Sequence, residues 1–149
     1  MTTILVVEDS PTQRAIVVEY LKKRGLTVIE AVDGVEALEL LQSRSRPLPH
    51  LILLDIIMPR MNGYDFCRWV KNNPQTRHIP VVMCTSKGQA SERYWGRKQG
   101  ADAYLVKPVM TNELIGTMKQ LLERSPEVAA TPKPSSEYPN LDGNWCPIA

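Results

Sequence analysis

Residues 51–54 read Leu-Ile-Leu-Leu, and the run stops at Asp55. A strand with one wet face alternates apolar and polar residues, whereas an unbroken apolar run suits a strand covered by helices on both faces. The same arrangement recurs along the chain. Ile4-Leu5-Val6-Val7 stops at Glu8-Asp9, Val81-Val82-Met83-Cys84 stops at Thr85, and Ala103-Tyr104-Leu105-Val106 stops at Lys107. Residues 27–30, Thr-Val-Ile-Glu, add a further short β-branched segment.

Segments of helical period separate these runs. Ser10-Pro11 followed by Gln13 has the form of a capping box with proline at the first helical position. It predicts a helix to about Arg24, with Val17, Val18 and Leu21 on one face and Gly25 as its stop. Asp33 and Glu36 cap a second helix bearing Ala37, Leu38 and Leu41. Pro59 and Asn62-Gly63 mark a loop, after which a helix over about 64–71 turns Phe66, Trp69 and Val70 inward. A weaker helix covers about 89–99; Gly96 inside it costs about 1 kcal/mol relative to alanine. Thr111 caps the fifth helix, whose stripe is Leu114, Ile115, Met118, Leu121 and Leu122. Strands and helices alternating in this way predict an α/β fold with a five-stranded parallel sheet wrapped on both faces. Right-handed crossovers favour the doubly wound, flavodoxin-like (βα)5 order 2-1-3-4-5.

This patterning fills residues 1–124, enough for one domain that buries a core without staples. Residues 125–149 differ: Pro126, Pro132, Pro134, Pro139 and Pro147 exclude regular helix or central strand, so an extended or disordered tail is expected. Its apolar end at Trp145 makes it a candidate binding segment for a partner. Formal net charge is +2, which encodes no strong pull toward nucleic acid or a membrane surface. No apolar run approaches the ~18 residues of a membrane span, and no secretory leader is evident. Cys67, Cys84 and Cys146 show no paired spacing, so the chain is expected in a reducing cytoplasm without disulfides or zinc.

Glu8, Asp9, Asp55, Thr85 and Lys107 all follow strands, which places them at the carboxyl edge of one parallel sheet, where ligands bind in open α/β folds. The first and third strands flank the switch point, so their acids should converge. Three carboxylates close together repel one another. A hard divalent cation resolves this, and Mg²⁺ takes carboxylate, water and phosphate oxygens. Lys107 adds a positive point charge and Thr85 a hydroxyl donor. Together they make a cradle for a phosphoryl group on a carboxylate, itself an able nucleophile for forming an aspartyl phosphate.

With these motifs in register, the sequence resembles the response-regulator receiver family over about residues 3–124. The resemblance rests on Glu8-Asp9, on the segment from Leu53 through Asp55, Met58-Pro59 and Asn62-Gly63, on Thr85-Ser86 and on Lys107-Pro108. It implies that Asp55 is the phosphoacceptor, and that Glu8, Asp9, Asp55 and the backbone carbonyl of Ile57 bind Mg²⁺. It further implies that Lys107 contacts the phosphoryl oxygens, that Thr85 bonds one of them, and that Tyr104 is an aromatic that rotates with the phosphorylated state. The implied partners are a histidine kinase or phosphotransfer domain, and a downstream protein docking on the fourth helix, fifth strand and fifth helix. Residues 85–87 and 93–108 are similar to the stand-alone, chemotaxis-like receivers of twitching-motility and phototaxis systems. The tail is a departure from those, which usually stop soon after the fifth helix.

Such a chain would be a switch rather than a turnover enzyme, assisting only its own phosphotransfer and dephosphorylation. It is expected neither to bind DNA, since a short proline-rich tail cannot form a helix-turn-helix domain, nor to insert in a membrane. A phosphate sink or an unphosphorylated receiver-like scaffold would use the same fold. A phosphatase with an aspartate nucleophile usually needs a second acid two residues on, where this chain has Ile57. A flavin carrier would meet repulsion between Glu8-Asp9 and the cofactor phosphate.

Overall fold

The computed structural model describes residues 2–43, 47–85, 90–107 and 112–123. Five strands and five helices alternate: β1 (Thr3–Val7), α1 (Pro11–Lys22), β2 (Thr27–Ala31), α2 (Gly34–Gln42), β3 (Leu51–Asp55), α3 (Gly63–Asn72), β4 (Val81–Thr85), α4 (Ala90–Lys98), β5 (Ala103–Val106) and α5 (Asn112–Leu122). The sheet is parallel throughout, in the order β2-β1-β3-β4-β5. This is the doubly wound, flavodoxin-like arrangement read from the sequence.

Alternate side chains of each strand go to opposite faces, so the sheet divides two cores. Leu5, Val7, Ile52 and Leu54 pack with Ala37 and Leu41 of α2 and with Phe66, Cys67 and Val70 of α3. Ile4, Val6, Leu51 and Leu53 pack with Val17 and Leu21 of α1 and with Leu114 and Met118 of α5. All five residues of β3 are buried, which is why its sequence does not alternate. Trp69 lies half-buried against the first core, as its helical position predicts.

The helix starts follow local chemistry, with two departures from expectation. Ser10 Oγ accepts from Gln13 N at 3.3 Å, which is the first half of the capping box. The second half does not form: Ser10 N donates to Glu8 Oε2 at 3.2 Å, and the Gln13 amide oxygen accepts from Lys107 instead. A carboxylate two residues before the cap competes better for that N–H than a neutral amide three residues after it. Asn62-Gly63 is likewise more than a turn. Asn62 Oδ1 accepts from Asp65 N at 2.9 Å, so Asn62 caps α3 and Gly63 is its first residue. Thr111, Gln89, Ser86, Pro108 and the tail lie outside the described residues.

Candidate functional site

The strand register assembles the site. Val7 pairs with Leu54, and Asp55 pairs with Cys84, so Glu8 and Asp55 project from the same level of neighbouring strands. Thr85 pairs with Val106, and the Lys107 N–H donates to the Thr85 carbonyl at 2.6 Å, which carries the lysine past the end of β5 toward the acids. Carboxylate oxygens of Glu8, Asp9 and Asp55 all lie within 4.8 Å of one another. Glu8 and Asp55 are buried and Asp9 is exposed, so the cluster has a solvent side and a protein side.

Lys107 is the cation of this cluster. Its Nζ donates to Glu8 Oε1 at 2.8 Å and stands 3.6 Å from Asp55 Oδ2. Asp55 Oδ1 accepts from Ile56 N at 2.8 Å, which fixes the carboxyl plane against its own loop. Burial and the neighbouring Glu8 charge push the Asp55 carboxyl up to about 6, more than Lys107 and the Ile56 N–H pull it down. Partial burial works against the charge of Lys107, yet the bond to Glu8 and the charge of Asp55 outweigh it and hold the ammonium above its ordinary value. A buried carboxyl that resists ionisation beside two other acids is a group short of positive charge. Three carboxylates converging from two strands offer the all-oxygen donor set that a hard divalent cation takes.

The structure brings together Glu8, Asp9, Asp55 and Lys107. Thr85 is buried at the end of β4, joined to Lys107 through its backbone. Ile57 is 58% exposed on the loop after β3, and its aliphatic side chain supplies no acid two residues beyond Asp55. Tyr104 sits one level below the acids, paired with Met83, and its ring is buried in the core shared with α2 and α3. Cys67 and Cys84 are free and buried; burial pushes both thiols up, Cys67 to about 12.

Two features escape the motif pattern. Gln13 on the first turn of α1 accepts from Lys107 Nζ at 2.7 Å. The only signal for it is a polar residue one turn into a helix that starts at the ligand edge, and the capping-box spacing explained that residue equally well. The second is Arg60, whose guanidinium grips Asp33 at the start of α2 through both carboxylate oxygens, at 2.7 and 2.9 Å. This pair holds the Asp33 carboxyl below its ordinary range and ties the loop after Asp55 to α2.

Among the described residues no helix is long and apolar enough to cross a membrane. Residues 4–119 match the model of the response regulator receiver domain. The chain is 36% identical over 122 residues to the protein PilH of Pseudomonas aeruginosa, covering 82% of this chain and 98% of PilH. It is 40% identical over 116 residues to PilG of the same organism, covering 78% of this chain and 84% of PilG. A crystal structure of a putative response regulator from Chloroflexus aurantiacus is similar at 32% identity with a TM-score of 0.77, covering 83% of this chain and 98% of that one. The Mn²⁺-bound form of the response regulator Rcp1 is similar at 30% identity with a TM-score of 0.67, covering 82% of this chain and 90% of that one. Fold, match and relatives agree: the chain belongs to the response regulator receiver domain family.

Proposed function

We propose that this receiver is a phosphorylation switch whose acceptor is Asp55. The observation that carries the reading is the placement of the Lys107 ammonium, 2.8 Å from Glu8 and 3.6 Å from Asp55, beside three converging carboxylates. A phosphohistidine on a histidine kinase or phosphotransfer domain is the donor. An oxygen of the Asp55 carboxylate attacks phosphorus, the phosphorus–nitrogen bond breaks, and the imidazole leaves with the electron pair. Lys107 faces the phosphoryl oxygens and Thr85 donates its hydroxyl to one of them. Glu8, Asp9, Asp55 and the backbone carbonyl of Ile57 would hold Mg²⁺. Bound there, the ion supplies the positive charge against which anionic donor and anionic acceptor approach. The donor set is all oxygen, and the Mn²⁺-bound Rcp1 is a similar chain that holds a divalent cation, which supports this assignment.

The signal leaves through protein contact. Thr85 ends β4 beside the acids, and Tyr104 lies on the adjacent strand β5 against Gly96 of α4, so a new phosphoryl group at Asp55 can bias their packing and shift the population of the α4–β5–α5 face. Likeness to PilH and PilG over most of both chains supports a stand-alone receiver; our reading is one of the chemotaxis-like, twitching-motility kind, working in the cytoplasm. The exposed Ile57 disfavours an aspartate phosphatase, which needs a general acid at that position.

Incubation with acetyl phosphate and Mg²⁺, followed by intact-mass spectrometry, tests the assignment. One phosphoryl group is expected on the wild type and none on Asp55→Ala. Equal labelling of the two would overturn it.

A further inference from the structure

The motif residues account for two of the three groups around the Lys107 ammonium. The third is Gln13. Lys107 Nζ donates to Gln13 Oε1 at 2.7 Å and to Glu8 Oε1 at 2.8 Å, while Asp55 Oδ2 stands off at 3.6 Å. An ammonium has three donors and no acceptor. With two of its protons directed at Gln13 and Glu8, the third is left for Asp55 and whatever is attached to it.

The two acceptors differ in kind. Glu8 is also one of the three clustered acids, so its carboxylate is shared between the lysine and the cluster. Gln13 is neutral and stands outside the acid cluster, so its hold on Lys107 does not depend on what the acids are doing. Its backbone is anchored: Pro11 opens α1, and Ser10 Oγ takes the Gln13 N–H at 3.3 Å, which fixes the turn that carries this exposed side chain. A flexible four-carbon ammonium loses catalytic value when it wanders, because a charge misplaced by ~1 Å costs much of its effect on a transition state.

We propose that Gln13 is a positioning residue for phosphoryl transfer: its amide oxygen holds the Lys107 ammonium in the place from which it meets the phosphoryl group at Asp55. This rests on Asp55 being the phosphoacceptor.

The test compares wild type, Gln13→Met and Gln13→Glu in the full chain. Methionine keeps the shape of the side chain and removes the acceptor; glutamate keeps the acceptor. Phosphoramidate serves as donor because it carries less net negative charge than acetyl phosphate, and Mg²⁺ is saturating. Gln13→Met should slow phosphorylation about fivefold. Its melting temperature, and its Mg²⁺ affinity by calorimetry to within about twofold, should stay at the wild-type values. Gln13→Glu should recover at least half of the lost rate. The inference is overturned if Gln13→Met matches wild type, if Gln13→Glu is as slow as Gln13→Met, or if the loss in rate follows a loss of Mg²⁺ affinity or of fold. A wild type that takes no phosphoryl group at all would overturn the assignment of Asp55 as well, whereas a labelled wild type with an indifferent Gln13→Met overturns this inference alone.

Discussion

Asp55 sits in surroundings that disfavour its own charge. Its carboxyl, near 3.8 when unperturbed, is pushed to about 6 in the fold, first by burial and then by Glu8. The sign for stability follows. Between about pH 4 and 6 the folded chain keeps a proton that the unfolded chain has released, so the native state is favoured at the acid end of that window. This contribution falls as pH rises and is gone above about 6. After allowance for solvent screening it is about 1–2 kcal/mol. Asp55→Asn removes the charge and keeps an oxygen for the Ile56 N–H. Urea denaturation of metal-free protein should therefore find Asp55→Asn more stable than wild type by about that amount at pH 7.5, with the difference vanishing near pH 4. A variant less stable than wild type at pH 7.5 would contradict the account. The site is already marked in part by the sequence. Glu8, Asp9, Asp55, Thr85 and Lys107 were legible because each marks the point where a buried strand stops. Gln13 was not, because the spacing Ser10–Gln13 satisfies a local cap and nothing in it points to a lysine 94 residues away.

Among the elements, α3 and α4 depend on close approach to the strands they cross. Gly63 opens α3 against the end of β3, its N–H donating to the Ile56 carbonyl at 2.8 Å. A Cβ at this position would lie 2.5 Å from the Asp55 carbonyl oxygen and 2.8 Å from Ile56 Cα, both backbone atoms that cannot rotate aside. Gly63→Ala must therefore move the turn that follows the acceptor. A loss of about 2 kcal/mol is expected in chemical denaturation, together with slower labelling by acetyl phosphate; an alanine variant within ~0.5 kcal/mol of wild type would show that the turn yields freely. Gly96 has a related reason within α4. A Cβ there would come within 3.0 Å of Met83 Sδ and 3.1 Å of the Tyr104 ring, so the cost of a mid-helix glycine is offset by closer packing on the strand that carries Tyr104. The existence of these elements was legible from apolar period and punctuation. Their exact starts were not: Asn62-Gly63 reads as a turn in sequence, and only the Asn62–Asp65 bond makes it a helix cap.

Across the whole molecule, the two ends of the sheet carry different burdens. The carboxyl end gathers like charges, while the amino end of β4 and β5 is bound by an ion pair. Lys71 Nζ, from α3, donates to Asp102 Oδ2 at 2.8 Å and to the carbonyls of Ile79 at 2.7 Å and Arg77 at 3.3 Å. Asp102 Oδ2 also takes the Val81 N–H at 2.9 Å, so one carboxylate joins the first residue of β4, the residue before β5 and the middle of the chain through α3. The side chains are 17% and 6% exposed, and breaking a buried pair by removing one partner leaves the other charge stranded. Lys71→Met should lower the unfolding free energy by about 3 kcal/mol, within the range for such pairs. Lys71→Met with Asp102→Asn should lose less than the sum of the two single changes, because the second no longer strands a charge. Since the pair sits at the sheet end opposite Asp55, the Lys71→Met protein held well below its melting temperature should take a phosphoryl group from acetyl phosphate at the wild-type rate. Unfolding curves for the three variants, read beside that rate, check both halves; additive losses, or a rate that falls with stability, would mean that the two ends of the sheet are not separable.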